Sequence, residues 1–129
     1  MAATNKTLPI IWTLLTASHL MHLAMGEFGS IPEQEGDMMI VAALCAAGVS
    51  ALFASLFVIP KSMKAQRPEQ LSSIFIIQWA MIESTGIFGL IARFMGGKPI
   101  VQYCMMGLAL MGMLFTFPSQ KVQNDLLKG

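Results

Sequence analysis

Charge is scarce in this chain. Only 12% of its 129 residues are Asp, Glu, Lys or Arg, and the polar connections between apolar blocks run to about a dozen residues at most. A chain so composed is not an ordinary soluble domain, and it leaves no extramembranous module to hold a soluble active site. Cysteine is nearly absent. Cys45 and Cys104 lie inside apolar stretches, where a thiol behaves as a small hydrophobe, so neither a disulfide nor a redox compartment follows from them. No nucleophile motif, phosphate loop or cofactor fingerprint is found, and the chain is not expected to be an enzyme, beyond serving at most as a translocation subunit of a larger ion-motive complex. A net charge of +1 points to no charged partner, and no nucleic acid is expected. No internal repeat is detected.

Apolar residues are what the chain has, at 55% of the total, in four blocks. Their lengths predict an all-α membrane protein with four transmembrane helices, over about 8–26, 38–59, 71–95 and 100–117, forming a single membrane domain across 1–129. The first block is expected to be a retained helix rather than a cleaved signal. The twelve methionines read as flexible packing in lipid. The segment after Pro118 is expected to lie at the interface as a short helix or to lack order.

The loops set an orientation. GEFGSIPEQEGD carries Glu27, Glu33, Glu35 and Asp37 and no basic residue, whereas PKSMKAQRPEQ carries Lys61, Lys64 and Arg67. Lys and Arg collect on the cytoplasmic side of short loops, so the loop at 60–70 and both termini are expected to be cytoplasmic, in a bacterial inner membrane. Pro60 and Pro68 are expected to bound a tight hairpin there, and Gly96-Gly97 with Lys98-Pro99 to make the outer turn. Arg93 falls on the outer side, where it can snorkel or pair with Glu27.

The stretch Leu71 to Phe94 organises the rest. It is about 24 residues, roughly 36 Å of helix, and Glu83 sits at its centre, near the bilayer midplane. An ionisable group at that depth is by default a functional site. Gly86 leaves space beside the carboxyl; Ser84 and Thr85 can supply hydroxyls to their own helix carbonyls or to a neighbour, and Gln78 is a second polar residue of this helix, on a different face. His19 and His22, three residues apart, share one face of the first helix. They are weak metal candidates, and interhelical hydrogen bonding near the outer boundary is the preferred reading. In the second helix Ala43, Ala47, Ala51 and Ser55 recur every four residues beside a parallel row of Ala46, Ser50 and Ala54. Such rows let backbones approach closely, either within the chain or between copies of it.

A small-residue helix, a polar loop reading AQRPEQ and a helix reading AMIESTGIFGL together resemble the proteolipid c subunit of rotary ATP synthases, over about residues 40–95. The polar loop looks like that family's Arg-Gln-Pro loop. Glu83 followed by Ile87-Phe88-Gly89-Leu90 is similar to its mid-membrane carboxylate with an Ile-aromatic-Gly-Leu pattern. The resemblance implies a c-subunit-like hairpin assembled as a homo-oligomeric ring, with Glu83 binding a proton or sodium ion, Gln78 and Ser84 as auxiliary ligands, and Gly86 and Gly89 joining the alanine row in helix packing. This chain departs from the family in replacing a Gly-x-Gly run by Ala and Ser, in spacing its carboxylate closer to the loop, and in adding a helix on each side. The leading expectation is therefore a c-ring-like structural scaffold or pore in which Glu83 is buried, with itself and membrane lipid as partners and no resident cofactor. The alternatives are an ion-carrying ring subunit with a stator of unknown identity, and a small four-helix channel or carrier lined by Glu83, His19 and His22.

Overall fold

The computed structural model describes residues 6–29 and 36–127. The acidic residues Glu33 and Glu35, the first five residues and Lys128 lie outside the described residues. Helices α1 (Thr7–Phe28), α2 (Met38–Phe53), α3 (Ile59–Ser62), α4 (Pro68–Phe94), α5 (Pro99–Phe115) and α6 (Gln120–Leu126) follow in order, and no strand occurs among the described residues. A five-residue π turn, Ala54–Val58, joins α2 to α3, so that Met38–Ser62 is one continuous helical rod. Among the described residues three runs are long and apolar enough to cross a membrane: Thr7–Phe28, Met38–Ser62 and Glu69–Phe94. A fourth exists if α5 and α6, bent by 82° at a short break, are taken as one broken span.

The outer surface agrees with a lipid environment. Leu14 on α1, Phe53 and Phe57 on the Met38–Ser62 rod, and Leu114 and Phe115 on α5 are each more than half exposed. Large apolar patches of this kind are rare on soluble monomers. These helices are compatible with an integral membrane protein.

α4 is the axis of the bundle. It packs against α1, α2 and α5, whereas α1 lies against α4 and α5 rather than against α2. The main core cluster gathers Leu71, Phe75, Trp79 and Ile82 of α4 with Leu8 of α1, Leu52 of α2, and Ala109 and Met113 of α5. Two indoles tie this core together through main-chain carbonyls. Trp12 Nε1 donates to Met113 O at 2.6 Å and Trp79 Nε1 donates to Thr116 O at 3.3 Å. Trp12 is therefore half-buried against α5 and edge-on to Phe117.

Helix ends follow local chemistry. Asp37 caps α2 by accepting from Met39 N–H at 2.8 Å, and Ser119 caps α6. The expected turn at Gly96-Gly97 is present: Gly96 takes φ 91°, and Gly97 N–H donates back to Ala92 O at 2.9 Å, a glycine-terminated helix stop.

Pro60 corrects the expected boundary, because it lies inside the helical rod instead of ending it. Proline lacks an N–H and its ring crowds the carbonyl four residues back. The π turn just before it absorbs that misfit. Ile59 N–H reaches Ala54 O, five residues back, and so leaves Ser55 O without its usual helical partner. Gln78 of α4 fills the gap, its Nε2 donating to Ser55 O while Ser55 Oγ donates to Gln78 O, both at 2.9 Å.

Candidate functional site

Ser18 stands at the middle of α1, and Glu83 lies two residues past the middle of α4. The two helices run in the same direction, with Leu8 beside Leu71 and Phe75 at one end and Glu27 beside Arg93 at the other. Parallel alignment thus brings mid-helix to mid-helix. Ser18 Oγ and Glu83 Oε1 share a short hydrogen bond. His19 Nδ1 is 3.7 Å from Glu83 Oε2, and His22 Nδ1 is 3.7 Å from Glu83 Oε1. His19 is fully buried, while the side chains of His22 and Glu83 are each 14% exposed.

Backbone geometry explains the convergence. Positions 18, 19 and 22 project from one side of α1, because residues three and four apart lie one above the other. On α4, Gly86 stands one turn beyond Glu83, and a side chain there would come within 3.2 Å of the His19 ring. The missing side chain makes room for the imidazole. His19 Nδ1 also bonds Leu15 O at 2.9 Å, which assigns its proton to Nδ1 in the neutral ring and leaves Nε2 as a lone-pair acceptor.

Four buried side-chain polar atoms have no hydrogen-bond partner among the described residues, and three of them, His19 Nε2, His22 Nδ1 and Glu83 Oε2, belong to this cluster. Leaving a buried polar group unpaired costs about 1–3 kcal/mol, so natural structures seldom tolerate several together without a functional reason. A displacement of roughly 1 Å would bring either imidazole to hydrogen-bond distance of the carboxyl.

Nearer the Gly96 turn lies a second polar group of different character. Arg93 donates to Glu27 Oε1 at 2.9 Å and to Gln102 Oε1 at 2.8 Å, Tyr103 hydroxyl donates to Glu27, and the guanidinium lies 5.6 Å from the Tyr103 ring centre. Gln102 Nε2 donates to His22 O at 3.1 Å. This network links α1, α4 and α5 and reaches the main chain of the Glu83 cluster.

Several expectations change here. His19 and His22 face Glu83 at mid-span instead of bonding near the outer boundary, because α1 is parallel to α4 and in register with it. Gln78 and Ser84 do not join Glu83: Gln78 is committed to Ser55, and Ser84 Oγ donates to Ala80 O of its own helix. Of the expected row Ser55 is buried, Ala51 half-buried, and Ala43 and Ala47 exposed, so the intrachain contact runs through Ser55 together with Val41, Gly48 and Leu52. Gly48 permits it, since a side chain there would press on Met105, and Thr85 Oγ1 donates to Gly48 O at 2.9 Å. Gly86 and Gly89 are buried at contacts with His19 and Met105. The pairing of Arg93 with Glu27 is present as one of the two expected options. Ser18, Gln102 and Tyr103 were missed. Ser18 adjoins His19 on a face already polar, which was the signal available for it; Gln102 and Tyr103 carried none. Among the described residues no set of three His, Cys, Asp or Glu side chains is placed to hold a metal ion.

No family model matches this chain, and neither a curated protein nor a solved structure matches it.

Proposed function

We propose that this chain is a small membrane carrier or channel for protons, in which Glu83 and His22 exchange the proton, His19 keeps its Nδ1–H beside the carboxyl and Ser18 holds the carboxyl. The observation that carries the reading is the mid-span cluster of a carboxyl and two imidazoles with three unpartnered buried atoms. Ser18 contacts both Leu15 O, at 2.6 Å, and Glu83, yet its hydroxyl has a single proton. With Glu83 neutral, the carboxyl O–H donates to Ser18 Oγ and the serine O–H donates to Leu15 O. With Glu83 ionised, the serine O–H turns to the carboxylate. Moving the Glu83 proton to His22 Nδ1 breaks the carboxyl O–H, forms an imidazole N–H, and yields a carboxylate–imidazolium pair. The net charge of the site is unchanged, which keeps the step affordable in a low-dielectric interior. The neighbours of Glu83 are one hydroxyl and two ring nitrogens, a donor set suited to a proton and poor for sodium, which seeks several oxygens. α1 covers Glu83 within the same chain, and this favours exchange inside one bundle over carriage past a stator.

Purified protein in liposomes with a pH-sensitive dye and a potassium diffusion potential tests this. Proton entry faster than in protein-free vesicles, lost in Glu83→Gln, is expected. Equal rates for wild type and Glu83→Gln would remove the carboxyl from the function.

A second reading rests on a separate observation. Ala42, Ala43, Ala46, Ala47 and Ser50 form an exposed small-residue face on α2. It suits close packing of a second copy, as in the c-ring-like scaffold that the resemblance implies. Ala46→Leu or Ala47→Leu would lower the oligomeric mass in detergent if that face assembles.

A further inference from the structure

Toward the end that carries Lys61, Lys64, Arg67 and Lys121, a cavity of about 450 Å³ opens beside the bend between α5 and α6. α6 is held across the loop by Ala65 N–H donating to Leu126 O at 2.9 Å, and Leu126 is buried. The volume lies within the range of small-molecule sites, about 300–1,000 Å³. Its wall is apolar: Leu56 and Phe57 of the π turn, Phe115 of α5 and Val122 of α6. Phe57 and Phe115 are 52% and 70% exposed, so the wall runs out onto the apolar exterior and the cavity is open from the lipid side.

The mouth is charged with both signs. Lys64 and Asp125 line it, and Lys64 Nζ donates to the Asp125 main-chain oxygen at 3.3 Å. The ammonium is therefore held beside α6 without being spent on the Asp125 carboxylate, and neither side chain forms an ion pair among the described residues. An adjacent cation and anion, unpaired, at the mouth of an apolar cavity facing lipid complement an amphiphile whose headgroup bears both charges.

We propose that this cavity binds one phospholipid with a phosphoethanolamine headgroup: an acyl chain fills the cavity, the phosphate meets Lys64 and the primary ammonium donates to Asp125. Charge-assisted hydrogen bonds of this kind need an N–H on the headgroup, which a trimethylated choline lacks. An anionic glycerol headgroup would satisfy Lys64 but would place nothing positive against Asp125. The π turn belongs to the site. It positions Leu56 and Phe57 in the wall, and such turns recur at functional positions in helices.

Native mass spectrometry of the full chain tests the proposal, with phosphatidylethanolamine, phosphatidylcholine and phosphatidylglycerol of one acyl composition, and glycerophosphoethanolamine as the headgroup alone. One phosphatidylethanolamine per chain is expected to be retained, by about fivefold over the other two lipids, and the bare headgroup is not. Lys64→Gln and Asp125→Asn should each erase that preference, and Val122→Trp should lower retention of all three lipids by filling the cavity. Lys64 and Asp125 are exposed, so the two charge variants decide the matter even where Val122→Trp loses helicity. Equal retention of the three lipids by the wild type, or an unchanged preference in both charge variants, would overturn the site. Retention of glycerophosphoethanolamine would overturn the acyl-chain part.

Discussion

The two polar clusters between α1 and α4 invite comparison because each contains one carboxylate and each joins the same pair of helices. At the Gly96 end, Glu27 meets a permanent cation. Arg93 supplies donors, Tyr103 adds another, and Gln102 ties the group to the main chain of His22. At mid-span, Glu83 meets no permanent cation, only a hydroxyl and two imidazoles whose charge depends on a proton. The first cluster is nearly saturated, with Arg93 Nε its one unpartnered buried atom, and the second leaves three such atoms. An arginine cannot give up its proton in a protein, so its network can only hold helices together. A carboxyl beside imidazoles can change state without leaving its place. The same two helices therefore carry a nearly saturated network at one end and a carboxyl with unpartnered neighbours at the centre.

Substitutions at the two clusters should separate these roles. The largest contrast is between Glu83→Gln and Arg93→Met. The first should reduce proton flux in liposomes by about tenfold or more while shifting stability by no more than about 0.5 kcal/mol, since an amide keeps the contact with Ser18. The second should keep most of the flux per folded molecule but cost about 1–2 kcal/mol in a denaturation series, because it strips charged hydrogen bonds from Glu27 and Gln102. If Arg93→Met abolished flux with stability intact, the division would fail. Next in size is His22→Ala, which should lower flux by about tenfold by removing the nearest acceptor of the Glu83 proton. Retention of full flux would remove His22 from the exchange.

Two alanine substitutions sharpen the comparison further. At Gly26 a side chain would overlap the Gln102 amide, so Gly26→Ala should expel Gln102 and reproduce part of the Arg93→Met destabilisation, about 1 kcal/mol. At Gly86 the added carbon would lie 3.2 Å from the His19 ring, a contact that a few tenths of an ångström relieves. Gly86→Ala should therefore have the smallest effect, about a twofold loss of flux with stability nearly unchanged. Chemical denaturation followed by circular dichroism reads the first, and the liposome assay reads the second.

The sequence made some of this legible. Glu83 could be singled out because a carboxyl in the middle of a long apolar run is visible without any contact. The outer turn at Gly96-Gly97 was likewise local. The Arg93–Glu27 pair was foreseeable as an option because charges are few. What escaped depends on packing between distant segments. His19 and His22 could be placed on one face but not opposite Glu83, since only the parallel register of α1 and α4 decides that. The alanine row of α2 looked like the contact face, yet Gly48 sits on the face that α4 takes, because close approach of two backbones rewards a glycine over an alanine. Gln78 entered as an auxiliary ligand only through the family resemblance, although it lies on a different face of the helix from Glu83. Its true partner was created by the π turn, which periodicity cannot show because a helical pattern passes through Pro60 unbroken.

The central claim is that Glu83 changes its protonation state in place. Infrared difference spectroscopy of the protein in liposomes, titrated in pH, observes the carboxyl directly. The account predicts a protonated-carboxyl band that disappears as pH rises, is absent in Glu83→Gln and changes position in His22→Ala, with no such dependence on Arg93→Met. A titration with no band that depends on Glu83 would contradict it, and Glu83 would then be a fixed hydrogen-bonding group in a structural bundle.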